Sequence, residues 1–398
     1  MVSSLRIQFN QLFTTEKYHS FLNDLNRTHP GAIEFPVAET PVFIDKKFKE
    51  KILSACESIV DVITQTNFIS ITKKAIPEDV FVPGEPAFSH FIAFDFGICQ
   101  NEDGILEPQL IEMQGFPTMF AYQVLHDEML RKHFTIPDNY DAYLNGYTRD
   151  SYLTLLQELI VADQEKENVI LLELFPHQQK TRIDFYCTED YTGINIVCLT
   201  DLIQEGKNLY YLKEGRKILV KRIYNRIIFD ELQHQPADVQ EKGKLLFGEL
   251  NVEWVPHPNW FFRISKYTLP LINNPFVPET RYLDELNEIP ADLEHYVLKP
   301  LFSFAGQGVI IDVKPEDIEK IEDKQNWILQ KKVVYADVIA TPDIPAKAEI
   351  RIFYFWEKGK PRPVAVFNLA RLSKGKMIGV RYNADKTWVG GSLAYFEK

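Results

Sequence analysis

The chain is poor in the residues that usually mark metal clusters, disulfides or membrane spans. It has only four cysteines, Cys56, Cys99, Cys187 and Cys198, and none falls in a C-x-x-C spacing. A zinc site or a disulfide framework is therefore not expected. Nine histidines show no metal spacing, and their order suggests no Ser-His-Asp or Cys-His arrangement. No run approaches about 18 apolar residues, so no membrane span is expected. The opening MVSSLRIQF lacks the long apolar core of a signal peptide, and a reducing cytoplasm is the expected compartment. Positive charge is also short: 44 Lys and Arg against 56 Asp and Glu leave a net charge of -12. A general nucleic-acid binder needs a basic face, so that class is not expected, although a local basic pocket remains compatible. Neither G-x-x-x-x-G-K-[ST] nor G-x-G-x-x-G occurs, which leaves a P-loop and a Rossmann dinucleotide site unsupported.

What is present is ample core material: 45% apolar and 13% aromatic residues over 398 positions, a length that suits two or three connected lobes. The texture divides the chain into residues 1–165, 166–235 and 236–398. Helical patterns lie near Lys46–Thr64 and Tyr140–Leu159, with an extended pair, Phe88–Phe96 and Gln109–Met113, between them. Alternating strands and helices after the polar linker Asp163–Asn168 predict a small α/β lobe. From Tyr296 onward the chain reads mostly as strands: YVLKPL, GVIIDV, WILQKKVV, EIRIFYFW and PVAVFNLARLS, with a helix opening at Pro315.

Asp103-Gly104 is a strong two-residue hairpin signal. An unbroken ladder from that turn sets Asp95 opposite Glu112, with Gln114 and Leu110 on the same face and Ile111 and Met113 on the other; Pro108 cannot donate to the ladder, so a wider connecting loop fits the same residues. Two carboxylates across a ladder repel unless something positive lies between them. Asp95, Glu112 and the amide oxygen of Gln114 would form an oxygen-only site suited to magnesium. A solvated strand face whose acids never meet fits the same residues.

Lys299 ends an apolar strand, and a small-residue loop from Ser303 to Gly308 follows. Gly306 and Gly308 would let backbone N–H groups approach phosphate oxygens, and Lys299 would add a point charge. A plain hairpin with a lysine at its edge also fits. WILQKKVV, one helix length further on, can present backbone groups to adenine with Gln330 near the ring. Lys266 in ISKYTLPLI stands at a helix start whose apolar residues include Leu269 and Leu271.

In this order the pieces resemble the circularly permuted ATP-grasp proteins, the group that includes glutathionylspermidine synthase-like ligases. FDFGICQ and LIEMQG look like that group's acidic hairpin and E-x-N motif. VKRIYNRIIFDEL, with Arg222 and Arg226, is similar to its tyrosine-arginine strand. ISKYTLPLI resembles its lysine helix start, and YVLKPLFSFAGQGV its K-P strand and glycine flap. The resemblance covers roughly residues 88–398. It implies an α+β chain with a circularly permuted ATP-grasp fold and a small inserted α/β (pre-ATP-grasp-like) lobe.

By resemblance, magnesium would sit on Asp95, Glu112 and Gln114. ATP would be held by Lys266, Lys299, Ser303, Gly306, Gln307, Gly308, Gln330 and Val333. The implied reaction is ATP-dependent joining of a small-molecule or peptide carboxylate to an amine or thiol through an acyl phosphate. A phosphotransferase, or a nucleotide- or peptide-binding module without turnover, are the alternatives. The chain departs from the family twice, with Gln114 in place of Asn and Ala93 in place of an Arg. Arg351, Arg371 or Arg381 would have to supply the missing charge, and Arg351 and Arg371 are the catalytic candidates.

Overall fold

The computed structural model describes residues 2–302, 308–375, 378, 383 and 385–398. The fold is mixed α+β, and among the described residues no helix is long and apolar enough to cross a membrane. Its centre is a five-stranded antiparallel sheet in the order Gly390–Ser392, Val364–Ser373, Lys347–Phe355, Phe91–Gln100, Leu106–Gln114. FIAFDFGICQ becomes a central strand because it is apolar on both faces, and all but its last residue are buried.

One face of this sheet, with Phe94, Phe96, Leu110, Ile350 and Ile352, packs in a core with the helix Lys46–Ile63. That helix buries Phe48, Ile52, Ala55, Cys56, Ile59, Val60 and Ile63 on one stripe, and Asp45 caps it by accepting from the N–H of Phe48 at 3.0 Å. The opposite face divides along its length. At one end Phe91, Phe353 and Phe355 close around Phe120, with ring centroids 4.9–5.1 Å apart. At the other end the same face carries the charged residues described below.

A four-stranded parallel sheet, ordered Glu253–Val255, Arg222–Asn225, Val169–Glu173, Asn195–Cys198, forms a second core. The apolar runs buried in it follow from a parallel sheet covered on both sides. A three-stranded sheet, Thr280–Tyr282, Trp327–Lys331, Tyr296–Pro300, has a small core of its own with Leu283, Leu293, Leu298, Val313, Ile318 and Leu329.

The structure departs from the sequence expectations in several places. Of the two connections open at Asp103-Gly104, the structure has the wider loop, Asn101–Ile105, in which Asn101 accepts at its backbone and side chain from Gly104, Asp103 and Ile105. The ladder is not unbroken: a β-bulge interrupts it between Asp95 and Phe96. The expected helix at Tyr140 begins only at Arg149. Asn145 and Gly146 both take positive φ, and Thr148 forms a capping box with Ser151. KILVKRIY divides at Lys221 between two sheets, Arg216–Val220 in a hairpin and Arg222–Asn225 in the parallel sheet. GVIIDV contributes only a bridge between Leu298 and Ile310, and Lys266 opens a six-residue 3-10 turn rather than an α-helix.

Candidate functional site

Asp95 pairs with Glu112 on one side and with Arg351 on the other, so three charged side chains form one row across the central sheet. The next row brings Glu349 opposite Arg371. The pairing of Asp95 with Glu112 matches the sequence expectation, but the bulge gives it a different origin. Leu110, expected on the acidic face, pairs with Phe96 and packs in the apolar core. Ile111, expected in the core, lies on the acidic side, where its Cδ1 is 3.3 Å from the position a Cβ on Gly97 would take.

Asp95 is 1% exposed, and both its oxygens are held. Arg351 grips them as a fork, with Nη2 to Oδ2 at 2.6 Å and Nε to Oδ1. Arg371 Nη2 also donates to Oδ2 and reaches Glu349 at 2.9 Å. Burial by itself would raise the Asp95 carboxyl, but the two guanidiniums outweigh it and hold the group below the usual carboxylate range. Glu349 is displaced the other way: burial raises it despite Arg371. Glu112 is looser, its side chain 34% exposed and 3.5 Å from Arg351.

Lys299 approaches from the three-stranded sheet. Its ammonium donates to Gln330 Oε1 at 2.6 Å and to the carbonyl of Ile111 at 3.2 Å, one residue from Glu112. Burial lowers its pKa to about 8; Lys266 pushes in the same direction, against Glu112 and Glu349. Gln330 is engaged at both ends of its amide, since its nitrogen also donates to Thr280 at 3.0 Å. Past Val333, the backbone of Val334–Ala336 bonds to Gln100 and Ile98 of the central sheet, so this segment ties the two sheets together.

Lys266 is buried on the turn Lys266–Leu271 and close enough to act on Lys299. Gly308 takes a φ of +74°, and a Cβ there would come within 3.1 Å of Pro300. Ser303, Gly306 and Gln307, like Arg381, lie outside the described residues. Gln114 stands opposite Ala93 and donates to the carbonyl of Phe116 at 3.5 Å. Arg222 is remote from this group: it donates to the carbonyls of Leu159 and Ile160 at the end of the helix Arg149–Val161.

Three contributors escaped the sequence reading. Glu349 sits two residues before Arg351, and strand periodicity would have put it on the same face. Tyr335 donates to Glu349 and lies over Gly97, where a Cβ would meet its ring at 2.7 Å. Thr118 accepts from Arg351 at its hydroxyl (3.1 Å) and from Arg226 at its carbonyl (2.7 Å). Arg226 in turn stands 3.6 Å from Asp184, a buried carboxyl pushed up to about 6.

Thr118 therefore connects the charged face to the carboxyl ends of the parallel strands. There the chain leaves Val169–Glu173 to one side and returns on the other at Arg222–Asn225, a topological switch point. Glu173 ends the first of these strands, and burial raises it to about 8. Among the described residues no three His, Cys, Asp or Glu side chains gather as a metal cluster. A cation here would need Asp95 and Glu112 completed by other oxygens.

The chain matches no protein-family model and no curated protein sequence. Among solved structures it is similar to a glutathione synthetase-like effector from Globodera pallida, solved in its apo form. The TM-score is 0.60 and the identity 11%, over 98% of this chain and 97% of that one. At that identity the likeness is one of fold: α+β and glutathione synthetase-like.

Proposed function

We propose that the chain is an ATP-grasp ligase that joins a carboxylate to an amine or thiol, with Mg-ATP held between the three-stranded and five-stranded sheets. The carrying observation is the contact of Lys299 with the Ile111 carbonyl, which sets an anion-binding ammonium beside the paired acids Asp95 and Glu112. Phosphate bound through a cation needs that arrangement of opposite charges at close quarters. In this reading residues 1–165 and 236–398 build a circularly permuted ATP-grasp module, and residues 166–235 supply its small lobe.

Asp95, Glu112 and the amide oxygen of Gln114 lie on one face of the central sheet, and with Asp95 released by Arg351 and Arg371 they would make a donor set that fits magnesium. Magnesium would supply charge neutralisation at the β- and γ-phosphates. Lys266 and Lys299 would hold phosphate oxygens, and Arg351 and Arg371 would meet charge that develops on the transferred group. The segment holding Ser303, Gly306, Gln307 and Gly308 would cover the phosphates, and the strand through Gln330 to Val333 would carry adenine. The acid would lie near Arg226 and Thr118, at the switch-point crevice. Its carboxylate oxygen would attack the γ-phosphorus as ADP leaves. The amine would then attack the acyl carbon, lose a proton and displace phosphate.

A second reading, nucleotide binding without turnover, draws on Ala93 and on the Gln114 amide, which is turned to the Phe116 carbonyl. Hydroxylamine decides between the two readings. With ATP, magnesium and panels of acids, a ligase gives acid-dependent ADP and a trapped hydroxamate. A phosphotransferase gives ADP with phosphate retained on the product. ATP bound with no ADP formed under any acid or amine would leave only the binding reading.

A further inference from the structure

We propose that Arg371, together with Arg351, gates the cation site: the guanidiniums occupy Asp95 until nucleotide phosphates draw them away, so a divalent ion is admitted with or after the nucleotide. The inference rests on the reading above and concerns the order in which its parts assemble.

Three features carry it. Asp95 Oδ2 accepts from both Arg351 and Arg371, and Oδ1 from Arg351, so a direct metal–oxygen bond must displace a guanidinium. A dication beside two guanidiniums is also repelled, so the ion gains little until they move. Arg371 has somewhere to go. Its Nη2 already reaches Glu349 at 2.9 Å, a carboxylate fixed by Tyr335, and it can leave Asp95 without losing every counter-charge. Finally, Arg371 Nε is buried with no hydrogen-bond partner among the described residues. A guanidinium with an unmet donor is suited to a phosphate oxygen, which accepts from the planar fork as a carboxylate does. Binding of phosphates by the arginines and of the ion by Asp95 would then be mutually reinforcing, with reciprocal coupling.

The test uses Mn2+ in the full chain without nucleotide, with free ion read by electron paramagnetic resonance. Arg371→Gln removes one occupant of Asp95 Oδ2. With Arg351 still forked on both oxygens, the gain comes from the lost charge and the second acceptor site on Oδ2, and Mn2+ is expected to bind at least about fivefold more tightly than to the wild type. Adding Asp95→Asn to that variant should abolish the gain. Arg371→Lys keeps the charge but not the fork, and should shift affinity the same way by less; it serves where the glutamine variant does not fold. Wild-type Mn2+ affinity equal to that of either folded variant overturns the gate. Because the titration contains no nucleotide, its outcome stands whether or not the chain binds ATP.

Discussion

Replacing Asp95 with Asn keeps the shape of the side chain and removes its charge. Among the described residues Arg351 would then keep one carboxylate, Glu112 at 3.5 Å, besides the Thr118 hydroxyl, and Arg371 would keep the carboxylate of Glu349. Breaking a buried pair by deleting one partner costs ~3–5 kcal/mol, because the remaining charge stays desolvated. With an unfolding entropy of about 2 cal/mol/K per residue, that corresponds to a fall of about 4–6 °C in the unfolding midpoint of a chain this long. Glu112→Gln is the control: its side chain is one-third exposed and its one ion pair among the described residues is long, so a loss under about 1 kcal/mol is expected. On the proposed reading both variants would lose magnesium-dependent nucleotide binding, but only Asp95→Asn should lose stability. Thermal unfolding by circular dichroism at neutral pH measures the contrast. Equal midpoints for Asp95→Asn and wild type, or an equal fall in Glu112→Gln, would refute the argument that Asp95 is the clamped centre of the cluster.

Other outcomes follow from the same geometry. Lys299→Ala and Glu112→Ala should each cost ~2–4 kcal/mol of transition-state stabilisation once a substrate pair is known, read as kcat/KM. Lys299 has a pKa of about 8 in this structure, and a bound phosphate would raise it. ATP binding above about pH 8 should therefore take up a proton, seen as a calorimetric heat that varies with the ionisation enthalpy of the buffer. Glu173 has its folded pKa raised to about 8 from an ordinary 4.5, so the stability it contributes is full below 4.5 and is lost as pH rises through about 8. Relative to wild type, Glu173→Gln should gain stability between those two pH values, measured as the difference in unfolding midpoint. Gly97→Ala places a methyl 2.7 Å from the Tyr335 ring and should cost ~1–3 kcal/mol, with Tyr335 displaced from Glu349.

How much of this was legible depended on sequence distance. The acidic hairpin was readable because Asp95, Glu112 and the turn are close together and strand periodicity is two. The bulge was not, since no residue type marks it, and it reversed the faces assigned to Leu110 and Ile111. Tyr140–Asn145 had helical spacing, but the left-handed Asn145-Gly146 pair and the Thr148 cap moved the helix start to Arg149. The strand EIRIFYFW was evident; that Arg351 would meet Asp95 across 256 residues was not, because register between distant strands is set by packing. The same limit concealed Tyr335 and the pairing of Glu349 with Arg371, although periodicity alone sets Glu349 on the face of Arg351. Lys299 was singled out from its place at a strand end, whereas its contact with the Ile111 carbonyl needed the fold.

In the proposed function, adenine nucleotide binds between the two sheets through Lys299 and the acidic pair. Isothermal titration and thermal unfolding with Mg-ATP, Mg-ADP and Mg-GTP, using wild type and Lys299→Ala, test it most directly. At a hundred times its dissociation constant a ligand adds ~2.7 kcal/mol to the folded state. A magnesium-dependent rise in midpoint with adenine nucleotides, abolished in Lys299→Ala, is the expected result. An unchanged midpoint and no binding heat at millimolar nucleotide, or a response that survives in Lys299→Ala, would contradict it.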